Sequence, residues 1–172
     1  GYAPVVRRFP LAPGSGVVPF DGRLAPDAPL AAARLSLPAG GSFEGPGGLL
    51  LELAPNALVP ALDGTLGVRL TPLSAQALPE LLPLGWSPLA AADVRFETEG
   101  ASPAALPQSA RFATDAAHVT LPLPESTPAG AALVAVRHDL ASGRWLTLEP
   151  IDRRAGPGGS DVARIALVSP GA

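Results

Sequence analysis

Apolar and polar residues alternate along this chain in short runs. In Val94-Arg95-Phe96-Glu97-Thr98 the apolar side chains fall on one side of an extended backbone and the charged ones on the other, as a half-buried β-strand requires. Val68-Arg69-Leu70 repeats the pattern. The same reading marks ten candidate strands: Val5–Phe9, Arg34–Leu37, Leu49–Leu53, Gly67–Pro72, Val94–Thr98, Ala110–Ala113, His118–Leu123, Leu133–His138, Arg144–Glu149 and Val162–Val168. Pro or Gly interrupts the chain often enough to break any long helix, and this spacing suits short strands joined by turns. The predicted fold is an all-β, antiparallel β-sandwich.

Two hairpins are legible. Leu133–His138 and Arg144–Glu149 flank Asp139-Leu140-Ala141-Ser142-Gly143, whose Gly143 is suited to the left-handed conformation that closes such a loop. The second of these strands, extended to Ile151, is then expected to pair with Val162–Val168 across the tip 155–160, giving a three-stranded meander. Between Leu73 and Asp93 runs a long Pro-rich crossover. Ser74 is placed to cap a helical turn that Pro79 limits to one or two turns. Its residues Leu81, Leu82, Leu84 and Trp86 are expected to cover one end of the sandwich. Residues 1–33 read as an extended Pro- and Gly-rich arm or linker, and residues 34–172 as the sandwich domain.

Composition narrows the class. Hydrophobic residues make up 47% of the 172, enough for a packed core despite 22 Pro and 19 Gly. Net charge is −3 with the basic residues all Arg and scattered, so nothing marks a nucleic-acid or anionic-lipid surface. The pairs Arg7–Arg8 and Arg153–Arg154 read as solvated residues of loops or strand ends. Aromatic residues are 5% of the chain, too few for the stacking platforms of a carbohydrate-binding module, which is therefore disfavoured. The absence of Cys removes disulfides, thiolate zinc sites and thiol chemistry. The absence of Met implies a processed chain or a part of a longer one. No uncharged run exceeds 12 residues; one of that length, residues 81–92, carries two Pro and is far short of the roughly 20 residues of a membrane-spanning helix, so no membrane insertion is expected. Few Asn and Gln, abundant Pro and all-Arg basic residues suggest a thermally robust protein of a GC-rich bacterium.

The inventory for catalysis is thin. His118 and His138 sit at strand ends and read as surface or edge residues. Asp139 follows His138 directly, but adjacent residues of a strand face opposite ways. Gly85-Trp86-Ser87-Pro88-Leu89 lacks the closing Gly and the strand–turn–helix setting of a nucleophile elbow. Glu97 and Glu99 share one strand face and read as solvated. No catalytic residue, metal ligand or cofactor site is assigned. The residues singled out are candidates for an interface: Val5, Val6 and Phe9 on the arm, and Leu82, Leu84 and Trp86 on the crossover. Trp145 reads as a core or edge anchor.

From Gly48 onward the order of features resembles one family. Gly48-Leu49-Leu50-Leu51-Glu52-Leu53-Ala54-Pro55-Asn56-Ala57-Leu58 is similar to the apolar strand and Pro-x-Gly-Ala-Leu opening of the β-sandwich domain shared by zonula occludens proteins, netrin receptors and ankyrins, which also occurs in bacterial surface proteins. Gly67–Thr71, His118–Pro122, Pro128-Ala129-Gly130, Leu133–His138 and Gly143-Arg144-Trp145 follow in the family's order. Asn56 replaces the usual Gly, and Leu167-Val168-Ser169 stands where self-cleaving members carry His-Phe-Ser. The resemblance implies a non-catalytic structural or interaction module of an extracellular or cell-surface bacterial protein. The competing expectation is a self-assembling filament subunit whose N-terminal arm donates a strand. Either way the partner is protein, a neighbouring domain or an identical subunit.

Overall fold

A computed structural model describes residues 33–98, 106, 109–139, 141–148, 151–156 and 159–170. The expected strand Val5–Phe9 and the rest of the arm before Ala33 lie outside these residues. Strands account for 46% of the described chain and helical turns for 6%, and every strand pairing is antiparallel. The fold is all-β and sandwich-like.

The larger layer is a five-stranded sheet. Its spatial order is β11 (Ile151–Ala155), β12 (Asp161–Ala166), β8 (Ala117–Pro122), β3 (Leu50–Leu53) and β2 (Gly41–Glu44). Alternation fixes its register: Phe43, Leu51, Val119, Ile165 and Ile151 form one row across all five strands on the inner face. The neighbouring row, Glu44, Leu50, Thr120, Arg164 and Asp152, lies on the opposite face. The second layer is three-stranded, with β1 (Arg34–Ser36), β5 (Thr65–Pro72) and β6 (Ala92–Thr98) in that order. Leu35, Leu66, Val68 and Leu70 of this layer join Leu51, Leu53, Val119 and Leu121 of the first in one core. Burying each of these large side chains contributes about 1.5–3 kcal/mol.

Two smaller ribbons complete the body. β4 (Leu58–Val59) pairs with β7 (Arg111–Phe112), and β9 (Ala135–Asp139) pairs with β10 (Arg144–Leu148). Phe112 brings β7 into the core through an edge-on contact with Phe96, ring centres 5.4 Å apart. At the tight β1–β2 turn Gly40 takes φ 70°, and a Cβ there would stand 2.5 Å from the Leu53 carbonyl oxygen. Only glycine fits that approach. Asn56 adopts φ 52°, a left-handed conformation that Asn tolerates better than most residues other than Gly.

The structure corrects the sequence reading in several places. The three-stranded meander does not form. Among the described residues β10 pairs with β9 alone, whereas β12 takes Ile151–Ala155 on one side and β8 on the other. Pro150 separates the two runs, and a proline cannot donate to a ladder. Strands β2, β4 and β11 were not anticipated, being short, Gly-bearing or charged. The crossover holds a single 3-10 turn, Ala75–Ala77, and the Ser74 side chain makes no capping bond. Leu78 is extended (φ −57°, ψ 143°) because Pro79 follows it, which ends the turn at once. The expected hairpin loop is present: Gly143 takes φ 62° and its N–H donates to the Asp139 carbonyl at 2.7 Å.

Candidate interaction groove

The three-stranded layer and the β9–β10 ribbon stand over the same side of the five-stranded sheet without pairing with each other. Between them lies an apolar groove of about 460 Å³. Its floor is the sheet's inner face, with Val119, Leu121, Ala163 and Ile165. One wall is β6, through Ala92, Val94 and Phe96; the other is the stretch from Val134 to His138. Leu73, Leu78, Leu82 and Trp86 of the crossover line one end. Around the mouth Trp86, Leu89, Val134 and Val168 are 45%, 45%, 58% and 59% exposed. Four large apolar side chains at one opening form a patch of the kind that marks an interaction site.

The hydrogen-bond pattern shows what β6 offers to this groove. Val68 N–H donates to the Ala33 carbonyl, so Val68 turns its backbone toward β1, and Gly67, Arg69 and Thr71 turn theirs toward β6. Leu73 N–H bonds the Ala91 carbonyl in the same phase. Asp93, Arg95 and Glu97 therefore close the β5–β6 ladder, and Ala92, Val94 and Phe96 point their N–H and C=O groups away from β5. No described backbone group meets them there. β9 likewise pairs on one side only. Among the described residues both walls are strands with one unpaired edge, and the space between them is floored by core residues.

Polar contacts hold the end of the groove. The His138 side chain is 5% exposed, its Nε2 lies 3.0 Å from a Glu80 carboxylate oxygen, and its ring meets Trp145 edge-on at 5.2 Å. The Trp145 indole N–H donates to the Leu81 carbonyl at 2.9 Å. These contacts tie the crossover to the β9–β10 ribbon, which bears out Trp145 as an anchor. They correct the surface alternative for His138, while its place on β9, paired on one side only among the described residues, fits the edge alternative. His118 is also buried: Arg164 donates to its Nδ1 at 3.0 Å and to Glu52 at 3.0 Å, on the outer face of the large sheet. Arg153 is no solvated charge either. It bonds Asp161 and the carbonyls of Thr127, Pro128 (2.6 Å) and Ala129 (3.2 Å), and so clamps the loop before β9. Arg154 is exposed beside Asp152, as expected of a solvated pair.

Of the interface candidates, Leu82 and Trp86 line the groove. Leu84 does not: it is 103% exposed and lies outside the lining, and Leu81 is 70% exposed. Of the crossover, Ala77 and Leu78 are the buried side chains, 3% and 6% exposed, with Leu82 half-buried, and Leu81 and Leu84 do not cover the sandwich as expected. The turn at Ala75–Ala77 directs Ala77 and Leu78 inward, whereas Pro83 and Gly85 carry the chain outward. Val5, Val6 and Phe9 lie outside the described residues. Sequence reasoning missed Val94 and Phe96 as site residues, although it placed them correctly in a strand. Their alternation reports a buried face and says nothing about a missing neighbour.

Among the described residues no three His, Asp or Glu side chains gather as a metal site, and no helix is long and apolar enough to cross a membrane. The chain matches no protein-family model, no curated protein and no solved structure.

Proposed function

We propose that this chain is a non-catalytic structural or interaction module of an extracellular or cell-surface bacterial protein, associating with protein segments by strand addition. The observation that carries the reading is the open β6 edge beside an apolar groove. Unpaired N–H and C=O groups above core side chains fit an extended peptide: the backbone supplies hydrogen bonds and alternate side chains fill the floor. The resemblance to the zonula occludens, netrin receptor and ankyrin domain supports the placement in a surface protein. Engagement of both histidines in packing contacts argues for a structural use of those residues.

The same edge favours a second reading, a filament subunit that accepts a strand from its neighbour. Size-exclusion chromatography and negative-stain microscopy of the whole chain separate the two, monomers supporting the module and fibres the filament. A Val94→Arg variant, which puts a charge into the groove, is the control. Fibres that persist in Val94→Arg would show that association does not use this groove.

A further inference from the structure

Resting on the reading of the groove as a strand acceptor, we propose that its occupant is a lone extended segment of a partner protein, apolar at alternate positions and carrying one carboxylate that meets Arg137 on the β9 wall.

The two walls select the form of the occupant. The edge of β6 that faces away from β5 meets no described strand, and β9 stands across the groove from it. A strand that brought its own sheet along would drive the next strand into β9. The site therefore suits a single segment with no sheet behind it. Alternate side chains of that segment fall over Val119, Leu121 and Ile165 on the floor, and they must be apolar to bury there.

Charge selects its composition. Arg137 lines the groove from β9 and is half-buried. Among the described residues no carboxylate lies within ion-pair distance of it. The acidic side chains that could answer it are engaged elsewhere. Glu80 holds His138 at 3.0 Å, and Asp93 holds Arg95 at 2.7 Å. Asp139, two residues along β9 and on the same face as Arg137, feels its charge, but the Ser142 hydroxyl and N–H both donate to that carboxylate. Arg144 stands directly opposite Asp139 across the ribbon. Two arginines therefore share one carboxylate, and this face of the ribbon is left cationic.

A guanidinium half-withdrawn from water beside apolar side chains is better off with an anion, and an incoming strand can supply one. A glutamate directly opposite Arg137 would have its Cβ about 4.5–5.5 Å away, within reach of a two-pronged guanidinium–carboxylate contact. Two positions on, opposite Asp139, the partner must not be acidic, because like charges facing each other destabilise a sheet. The chemistry that fits is one acidic residue among apolar ones, and a run of acidic residues is excluded.

The probe is a fluorescein-labelled nine-residue peptide of alternating Val and Thr in which one Glu is moved position by position, each peptide paired with its Gln counterpart. Binding to the whole chain is followed by fluorescence anisotropy at low salt. The best-placed Glu peptide should bind about three- to fivefold more tightly than its Gln counterpart, the effect of a cross-strand charge pair. That advantage should fade at high salt. Arg137→Gln should erase the difference without weakening the Gln peptide, and Arg137→Glu should transfer the preference to the corresponding Lys peptide. Circular dichroism checks that both variants keep the native fold. If Glu and Gln peptides bind equally at every position, and Val94→Arg abolishes both, the carboxylate proposal is overturned and the strand-acceptor reading stands. A Glu preference that survives Arg137→Gln overturns it in the same way. If no peptide binds at millimolar concentration, or binding is indifferent to Val94→Arg, the strand-acceptor reading fails and this proposal falls with it.

Discussion

Leu78 and Leu84 are the same residue type, six positions apart on one crossover, and truncating each to Ala should have very different consequences. Leu78, directly after the turn at Ala75–Ala77, is 6% exposed, and Leu84 is 103% exposed. Leu78→Ala removes three buried carbons, worth about 2.4 kcal/mol at 0.8 kcal/mol for each. The hole left behind adds to this, though modestly, because the adjoining groove lets neighbouring side chains relax into it. The expected loss is about 3 kcal/mol. For a chain of this size that lowers the thermal midpoint by about 6–12 °C. Leu84→Ala should change stability by less than about 0.5 kcal/mol. The assay is urea unfolding of both variants, followed by fluorescence of Trp86 and Trp145 and checked by thermal circular dichroism. Trp145 reports directly, since its indole bonds the Leu81 carbonyl on the same crossover. A Leu84→Ala loss equal to that of Leu78→Ala would refute the assignment of which crossover side chains are buried. A Leu78→Ala loss below about 1 kcal/mol would refute the packing argument itself.

Two further outcomes follow from the loops. Arg153→Met keeps the aliphatic stem but removes the guanidinium that holds the Thr127, Pro128 and Ala129 carbonyls, so stability should fall by about 1–2 kcal/mol. Hydrogen exchange should accelerate locally in residues 125–131, and a uniform change across the sheet would count against a clamp. Asp139 accepts bonds from the Ser142 hydroxyl and N–H, which hold its carboxyl below the usual value of 3.8. A lowered folded-state pKa stabilises above the unfolded value and is lost as pH falls through the folded one, below 3.8. Asp139→Asn should therefore narrow its stability gap to the wild type as pH drops from 5 to 2, and a gap that stays constant would show that the carboxylate charge contributes nothing to this turn.

The all-β class was legible because alternation is a local signal. Val94 to Thr98, His118 to Leu123 and Val162 to Val168 read as half-buried strands from their own residues, and each lies largely within an observed strand. Turn chemistry was legible for the same reason: Gly143 and Asn56 adopt the left-handed backbone that their types permit. What alternation cannot carry is the identity of a strand's neighbour. Nothing local tells Arg144–Leu148 that it pairs with β9 and not with β12, or that Ile151–Ala155, three of its five residues charged, completes the large sheet. Nor does composition sort the crossover leucines, since Leu78 and Leu84 differ only in where the backbone between Pro79 and Gly85 carries them. The groove is tertiary in the strictest sense. Val94 and Phe96 look like ordinary strand residues in the sequence, and only the ladder phase fixed by Ala33, Val68, Leu73 and Ala91 turns their backbone groups toward an open edge. Local chemistry determined which residues extend and which turn; long-range hydrogen bonding decided which edges remain available for another strand.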